Sequence, residues 1–474
     1  MQTTLVDLLI SVGLTEPLAH VIRALVPCVL IIHLVAVGAL VFIWLERKVS
    51  GRIQDRLGPT RVGGRFGWLQ TLADGIKLIA KEDLTPGEAD AMLFRIAPYI
   101  SFAASFAAWL AMPFAVGWSG LDINVAVFFV LAVLGLEVFG VILAGYASGS
   151  KWSLFGAMRE AAQVVSYEVP LGLCVVIPVF ICGTMNLTTI GEMQRGFATN
   201  WLIFHDPFTF CVFWVYITCG VASVNRAPFD LAEAESELVA GFHTEYSGLR
   251  WSFFFMAEYG SMLLVSALAT ILFLGAWHGP IPIFSQGLGW TVSAMKQVHV
   301  MEQAQLLAAN KKHVVEAFQL STANQIQIYL ASLAGCANLI LKSSMGVIVM
   351  IWVRWTLPRL RIDQVMTTCL KYCVPLASFC FLGALAWQAL IPQLTPASLP
   401  APFGINRAAI REAWVIRPEP TDLTGAAVPA ADAAKRTSSA AASAPPPALA
   451  AGPFRNRNTP VAGQTEPISR EEAP

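Results

Sequence analysis

The chain has 474 residues, of which 56% are hydrophobic and only 13% charged, a balance more apolar and less charged than soluble domains carry. With 31 Lys and Arg against 31 Asp and Glu the formal net charge is zero, so no global field argues for nucleic acid or an acidic partner. The class that remains is a membrane protein, in which any charge signal is local.

In chain order, the first 25 residues place Asp7 and Glu16 among apolar positions and lack both a basic start and a small-residue cleavage site. They read as a retained N-terminal arm, 1–26, rather than a cleaved signal. Crossing a bilayer takes about 20 mostly apolar residues. Eight segments qualify: 27–45, 96–116, 125–146, 164–181, 208–223, 251–274, 330–352 and 369–391. The fifth is the shortest. Lipid offers no partner for a free N–H or C=O, so these backbones are helical, and the expectation is an all-α, polytopic membrane domain over 27–391.

Lys and Arg partition unevenly between its connections. Segments 46–91, 147–160, 224–250 and 353–368 hold 15, whereas the N-terminal arm with 117–124, 182–207 and 275–329 holds 5. The positive-inside rule puts the first set in the cytoplasm and both termini outside it. Segment 275–329 is an extended external connection, in which 293–328 reads as a polar, partly amphipathic surface helix. From 392 to 474 the chain is rich in Ala, Pro, Ser and Thr and reads as a disordered tail. No internal repeat supports an inverted-repeat transporter.

Nine cysteines lie mostly inside apolar runs and form no C-x-x-C pair. They read as structural membrane thiols, not as metal or cluster ligands.

Four local features carry chemistry. Glu137 and Glu168 are flanked by apolar sequence on both sides. A carboxylate at mid-membrane costs about 2.5 to 3.5 kcal/mol on insertion scales and faces a protein interior or a water path. Either a proton-carrying role or a neutral interhelical hydrogen-bond donor fits. Second, NRAPFDLAEAESELVAGFHTEYSGLR, residues 225–250, holds Asp230, Glu233, Glu235, Glu237 and Glu245 against Arg226 and Arg250. Asp230 with Glu233 could make a capping box, but capping does not need five acids, nor does it explain Glu258 in the next apolar run. Third, residues 46–83 place basic residues among apolar ones. Gly58-Pro59 and Gly63-Gly64 break this stretch into two helical pieces, with Glu46 and Arg47 at the membrane edge. That surface fits either anionic lipid or a soluble partner. Fourth, TLPRLRIDQ, residues 356–364, places Arg359 and Arg361 on the same side.

Together, ERKVSGRIQDRLGPTRVG, LADGIKL, SYEV, NRAPFDLAEAESELVAGFHTEYSG, AEY and LPRLRIDQ closely resemble the H subunit of the proton-pumping NADH:quinone oxidoreductase, respiratory complex I, called subunit 1 in mitochondria. The resemblance covers roughly 27–391 apart from the connection at 275–329. It implies a tilted helix bundle in the membrane arm of the bacterial inner membrane. Its cytoplasmic loops would help build the chamber where quinone, as substrate, is reduced by an iron-sulfur cluster of a neighbouring hydrophilic-arm subunit. NADH, FMN and the clusters would belong to partner subunits, and no cofactor or metal to this chain. Carried over by motif, Arg47, Arg56, Asp74, Arg226, Phe229, Tyr259 and Arg359 would line or shape the quinone chamber. Glu46, Glu168, Glu233, Glu235, Glu237 and Glu258 would form an acidic path for protons, with Glu137 and Glu160 as further candidates. A related subunit of a membrane-bound hydrogenase, or a cation transporter, is the alternative.

This chain departs from that pattern. Ala222-Ser223-Val224-Asn225-Arg226 stands where relatives usually read A-E-T-N-R, and Glu160 stands where they carry a small residue. If Glu160 compensates for Ser223, the two positions should meet. The VGGRFG run, with Arg65, and the long connection at 275–329 are also unusual.

Overall fold

The computed structural model describes residues 10, 15–115, 118–194, 198–231, 240–279 and 322–394. Among them, seven helices are long and apolar enough to cross a bilayer: α1 (Glu16–Ile53), α3 (Ala91–Ala108, continued by a 3-10 turn to Ala111), α4 (Ala126–Ala147), α5 (Lys151–Cys182), α8 (Gly248–Phe273), α9 (Thr322–Thr356) and the rod Ile362–Leu394. That rod comprises α10 (Ile362–Thr367), a π turn (Thr368–Cys373) and α11 (Val374–Leu394). The eighth expected span is present as α7 (Pro207–Ser223), an apolar helix of 17 residues. The protein is therefore an all-α polytopic membrane protein, as its apolar runs require. Three short elements complete it: α2 (Gln70–Ala80), α6 (Leu187–Met193) and a two-stranded hairpin of β1 (Pro113–Ala115) and β2 (Trp118–Ser119) that hydropathy does not foretell.

α8 is the centre of the bundle: 83% of its most apolar stretch is buried by protein, against 22% for α1, which turns most of its surface outward. A helix apolar all round is buried all round, and the run Tyr259 to Phe273 on α8 is buried without interruption. Small residues let neighbouring helices approach closely. A Cβ on Gly140 of α4 would lie 2.7 Å from the Ser101 nitrogen on α3, and one on Gly220 of α7 would lie 2.7 Å from Val265 of α8. Hydroxyls also bond backbone between helices: Ser105 Oγ to Ala257 O at 3.0 Å, Tyr216 OH to Val265 O at 2.9 Å, and Tyr167 OH to Val365 O at 2.8 Å.

Helix ends follow local chemistry. Asp90 accepts from the Met92 and Leu93 N–H groups at the start of α3, and Asp206 with Thr209 makes a capping box at α7. Gly183, at φ +65°, ends α5 in the left-handed conformation that glycine favours.

The helices overrun the apolar runs that announce them. α1 extends beyond 27–45 at both ends, and α5 begins at Lys151, so Glu160 belongs to the same helix as Glu168 instead of the preceding loop. Between α1 and α2 the chain turns as its glycines suggest, with Gly58, Gly63, Gly64 and Gly67 all at positive φ. The expected surface helix over 293–328 falls largely outside the described residues, and so does almost all of the expected tail.

Candidate functional site

Near the C-terminal end of α1, Glu46 is 5% exposed and meets two guanidinium groups. Arg226 Nη1 donates to its Oε2 at 3.2 Å and its Oε1 at 3.3 Å, and Arg354 Nη1, from the end of α9, donates to Oε1. The Tyr259 hydroxyl of α8 donates to Glu46 Oε2. Arg226, 3% exposed, lies with its Cζ 4.4 Å from the Tyr259 ring centre and its Nε 2.6 Å from Glu258 Oε1. Two carboxylates and two guanidiniums thus balance in one buried cluster, which satisfies the requirement that buried charge be paired. Burial alone would depress the Arg226 guanidinium, but Glu258, Tyr259 and Glu46 outweigh it and drive its proton affinity well above the ordinary arginine value. Arg226 is fixed positive.

The loop that carries Arg226 is pinned from a second direction. Arg359 Nη2 donates to Asp230 Oδ2 at 2.9 Å, and the Leu360 N–H donates to Pro228 O at 3.0 Å. Phe229 is buried, its ring 5.5 Å from that of Tyr167 on α5.

A separate pair ties α2 to α1. Arg47 bonds Asp74, with Lys77 Nζ 3.5 Å from the same carboxylate. Partial burial would raise Asp74, but Arg47 first and Lys77 second hold it below the usual carboxylate value. Beside them Trp44 stacks on Trp68 at 4.1 Å and donates from Nε1 to Phe66 O at 3.0 Å.

Past Glu258 the interior opens into a cavity of about 60 Å³. Its walls bring together Glu137 of α4, Glu160 of α5, Ser223 of α7, and Glu258 with Ser261 of α8. Ser261 Oγ donates to Glu137 Oε2 at 2.7 Å. Asn225 Nδ2 donates to Glu160 Oε1 at 2.6 Å, and Gln163 Nε2 in turn donates to Asn225 Oδ1 at 2.9 Å and Ala222 O at 2.8 Å. A water needs about 10–15 Å³ of such space and two to four polar partners, so the cavity has room for a short water chain.

Residues 26–385 match the profile of the family described as NADH dehydrogenase. The chain belongs to the NADH dehydrogenase family. Among curated relatives in it, the H subunit of NADH-quinone oxidoreductase from Anaeromyxobacter dehalogenans is 38% identical over 80% of this chain and 86% of its own length. The protein of the same name in Chlorobium luteolum is 39% identical over 79% of this chain and 91% of its own. The one in a Geobacillus species is 42% identical over 70% of this chain and 84% of its own.

In this NADH dehydrogenase family member, the structure separates the motif-based residues. Arg226, Tyr259, Glu46 and Glu258 converge in one cluster, with Phe229 and the Asp230–Arg359 pair on the same loop. Arg47 with Asp74 stands apart, and Arg56 is exposed, bonded to Gln54 Oε1 at 2.7 Å. Glu168 rests against α4, where a Cβ on Gly135 would lie 3.1 Å from its Oε1. Glu233, Glu235 and Glu237, and with Glu233 the expected capping box, lie outside the described residues.

Two charged positions went unread in the sequence. Arg354 completes the Glu46 cluster, and Lys342 of α9 donates to the carbonyls of Leu274, Ala276 and His278 at 2.6, 3.1 and 2.6 Å. Lys342 lies inside the apolar span 330–352, and the rule that singled out Glu137 and Glu168 applies equally to cations; Arg354 lies just past that span.

Proposed function

We propose that this chain is the membrane-arm H subunit of a proton-pumping NADH:quinone oxidoreductase, which helps to form the quinone chamber and converts quinone reduction into proton movement. The observation that carries the reading is continuity. One buried charge cluster, Glu46, Arg354, Arg226 and Glu258, joins the 225–231 loop to a carboxylate-lined cavity between α4, α5, α7 and α8.

The chemistry follows from which groups are paired. Quinone reduction to quinol consumes two electrons and two protons; in this reading the electrons come from a cluster in a partner subunit. What the chain offers is protons and a charge that can respond. Arg226 is shared between Glu46 and Glu258, so a displacement of the 225–231 loop alters both partners at once. A carboxylate that loses its cation binds a proton more readily. Glu258 can then exchange that proton with Glu137 through water in the cavity. By the motif resemblance, Glu233, Glu235 and Glu237 would belong to the same acidic series.

The exposed apolar side chains of the α1–α2 segment, Leu57, Phe66, Trp68, Leu72, Ile76 and Ile79, support a partner there. Contiguous apolar surface of this kind marks an interaction site, here the hydrophilic-arm subunit that would close the chamber with Arg47, Arg56, Asp74, Phe229 and Arg359. The excess of Lys and Arg on the connections at 46–91, 147–160, 224–250 and 353–368 supports placing that face in the cytoplasm, with both termini on the periplasmic side of the inner membrane.

The test is Glu258→Gln in the assembled complex, in inverted membrane vesicles. NADH-driven quinone reduction should persist while proton uptake per NADH falls. Wild-type pumping by the assembled variant would refute the coupling role.

A further inference from the structure

The cavity holds two carboxylates outside the charge cluster, Glu137 and Glu160. Glu160 is 7% exposed, on α5, and receives the Asn225 amide at 2.6 Å. Asn225 is itself unusual: it adopts φ +54°, the left-handed region that L residues seldom enter and Asn tolerates. It is the residue immediately before Arg226, so a single turn of chain directs one side chain to Glu160 and the next to Glu46 and Glu258. Gln163, fully buried, fixes the Asn225 amide from behind.

We propose that Glu160 is a proton-relay carboxylate of this cavity, accepting a proton from Glu258 and passing it to Glu137, with Asn225 as its positioning residue. The inference rests on the reading of the chain as a coupling subunit and adds a component to it. Three carboxylates on three helices line one cavity with room for water. Glu258 lies 2.6 Å from the Arg226 guanidinium, Glu160 accepts from the Asn225 amide and Glu137 from the Ser261 hydroxyl. In the transfer, the O–H bond of a protonated Glu258 breaks as one forms on Glu160, and then on Glu137; no electron moves. A shift of the loop that carries Asn225 and Arg226 acts on the donor and the acceptor together, which ties the transfer to loop position. Ser223, on α7, lines the same cavity, so it is a second position from which a carboxylate could serve that space.

The experiment compares Glu160→Gln, Glu258→Gln and the double variant Glu160→Gln/Ser223→Glu in the assembled complex, in inverted vesicles. The readouts are NADH:quinone reduction with an uncoupler present and protons taken up per NADH. Glu160→Gln keeps the length of the side chain and an oxygen that accepts from Asn225. It should reduce quinone near the wild-type rate while pumping falls about 100-fold or more, the range of a lost proton-transfer group. Ser223→Glu should restore a substantial part of that loss. Wild-type pumping by Glu160→Gln, or an assembled double variant that stays uncoupled, would overturn the relay. If Glu258→Gln also pumped normally, the coupling function itself would fall, so the two failures are distinguishable. Should Glu160→Gln not assemble, Glu160→Asp retains the acid but withdraws it: a shifted pH profile of pumping supports the relay, and an unchanged profile with full pumping refutes it.

Discussion

Replacing Arg226 with Met tests the charge cluster at its centre. The substitution keeps an unbranched side chain over the Tyr259 ring but removes the guanidinium that lies 2.6 Å from Glu258 and 3.2 Å from Glu46. Removing one partner of a buried pair costs about 3–5 kcal/mol, because it leaves buried charge uncompensated. Glu46 keeps Arg354 and Tyr259, and Glu258 is partly exposed, so the cost falls near the lower figure. An opening free energy reduced by about 3 kcal/mol raises local exchange by roughly 100-fold, at tenfold per 1.4 kcal/mol. Hydrogen–deuterium exchange of residues 240–260 in the assembled complex reads that change. Adding Glu258→Gln to Arg226→Met removes the stranded charge as well, so the double variant should regain most of the lost protection. Equal exchange in Arg226→Met and wild type, or a double variant no better than the single, would refute the idea that these charges hold the loop.

Other outcomes follow from particular contacts. Gly135→Ala places a methyl 3.1 Å from Glu168 Oε1 and should depress proton pumping with assembly intact, as Glu168→Gln should; Gly172→Ala, with nothing within 4 Å of its new Cβ, should leave pumping unchanged. Asp74 is held below its ordinary value of 3.8 by Arg47. Its contribution to seating α2 is therefore complete above that value and lost only as the pH falls through the lowered one. Exchange protection of α2 should stay flat from neutral pH into the mildly acidic range, and Asp74→Asn should weaken it throughout. Lys342→Met deletes three donations to the carbonyls that follow α8. With about 1.5–3 kcal/mol typical of a hydrogen bond to a charged group, exchange at residues 270–279 should rise at least tenfold.

What the sequence made legible is what physics makes local. A run of 20 apolar residues has one solution in lipid, so the spans were readable, and even the short segment at 208–223 forms its helix. Ends were less readable, because hydropathy stops where lipid stops, while α1 and α5 continue as helices stabilised by packing. That is why Glu160 read as a loop residue and is a helix residue facing a cavity. Partnerships across the fold left no local trace: Arg226 reaches Glu46 over 180 positions, and Arg354 reaches it over 308. Asp230 stood out in an acidic stretch, Glu46 at the edge of a basic one and Glu258 in an apolar run; no periodicity says that the first is spent on Arg359 and the others on a shared arginine.

That long separation has a consequence for how the protein is made. At a synthesis rate of about 5–20 residues per second, the 308 positions between Glu46 and Arg354 correspond to roughly 15 to 60 seconds. During that interval the carboxylate at the end of the first inserted helix lacks one of the two cations that later bury it. A solvated charge is held out of hydrocarbon, so Glu46 keeps the end of α1 at the aqueous boundary until α9 arrives. The completed cluster then acts as a closing latch: the nascent bundle becomes sealed at this end only after α9 has been threaded.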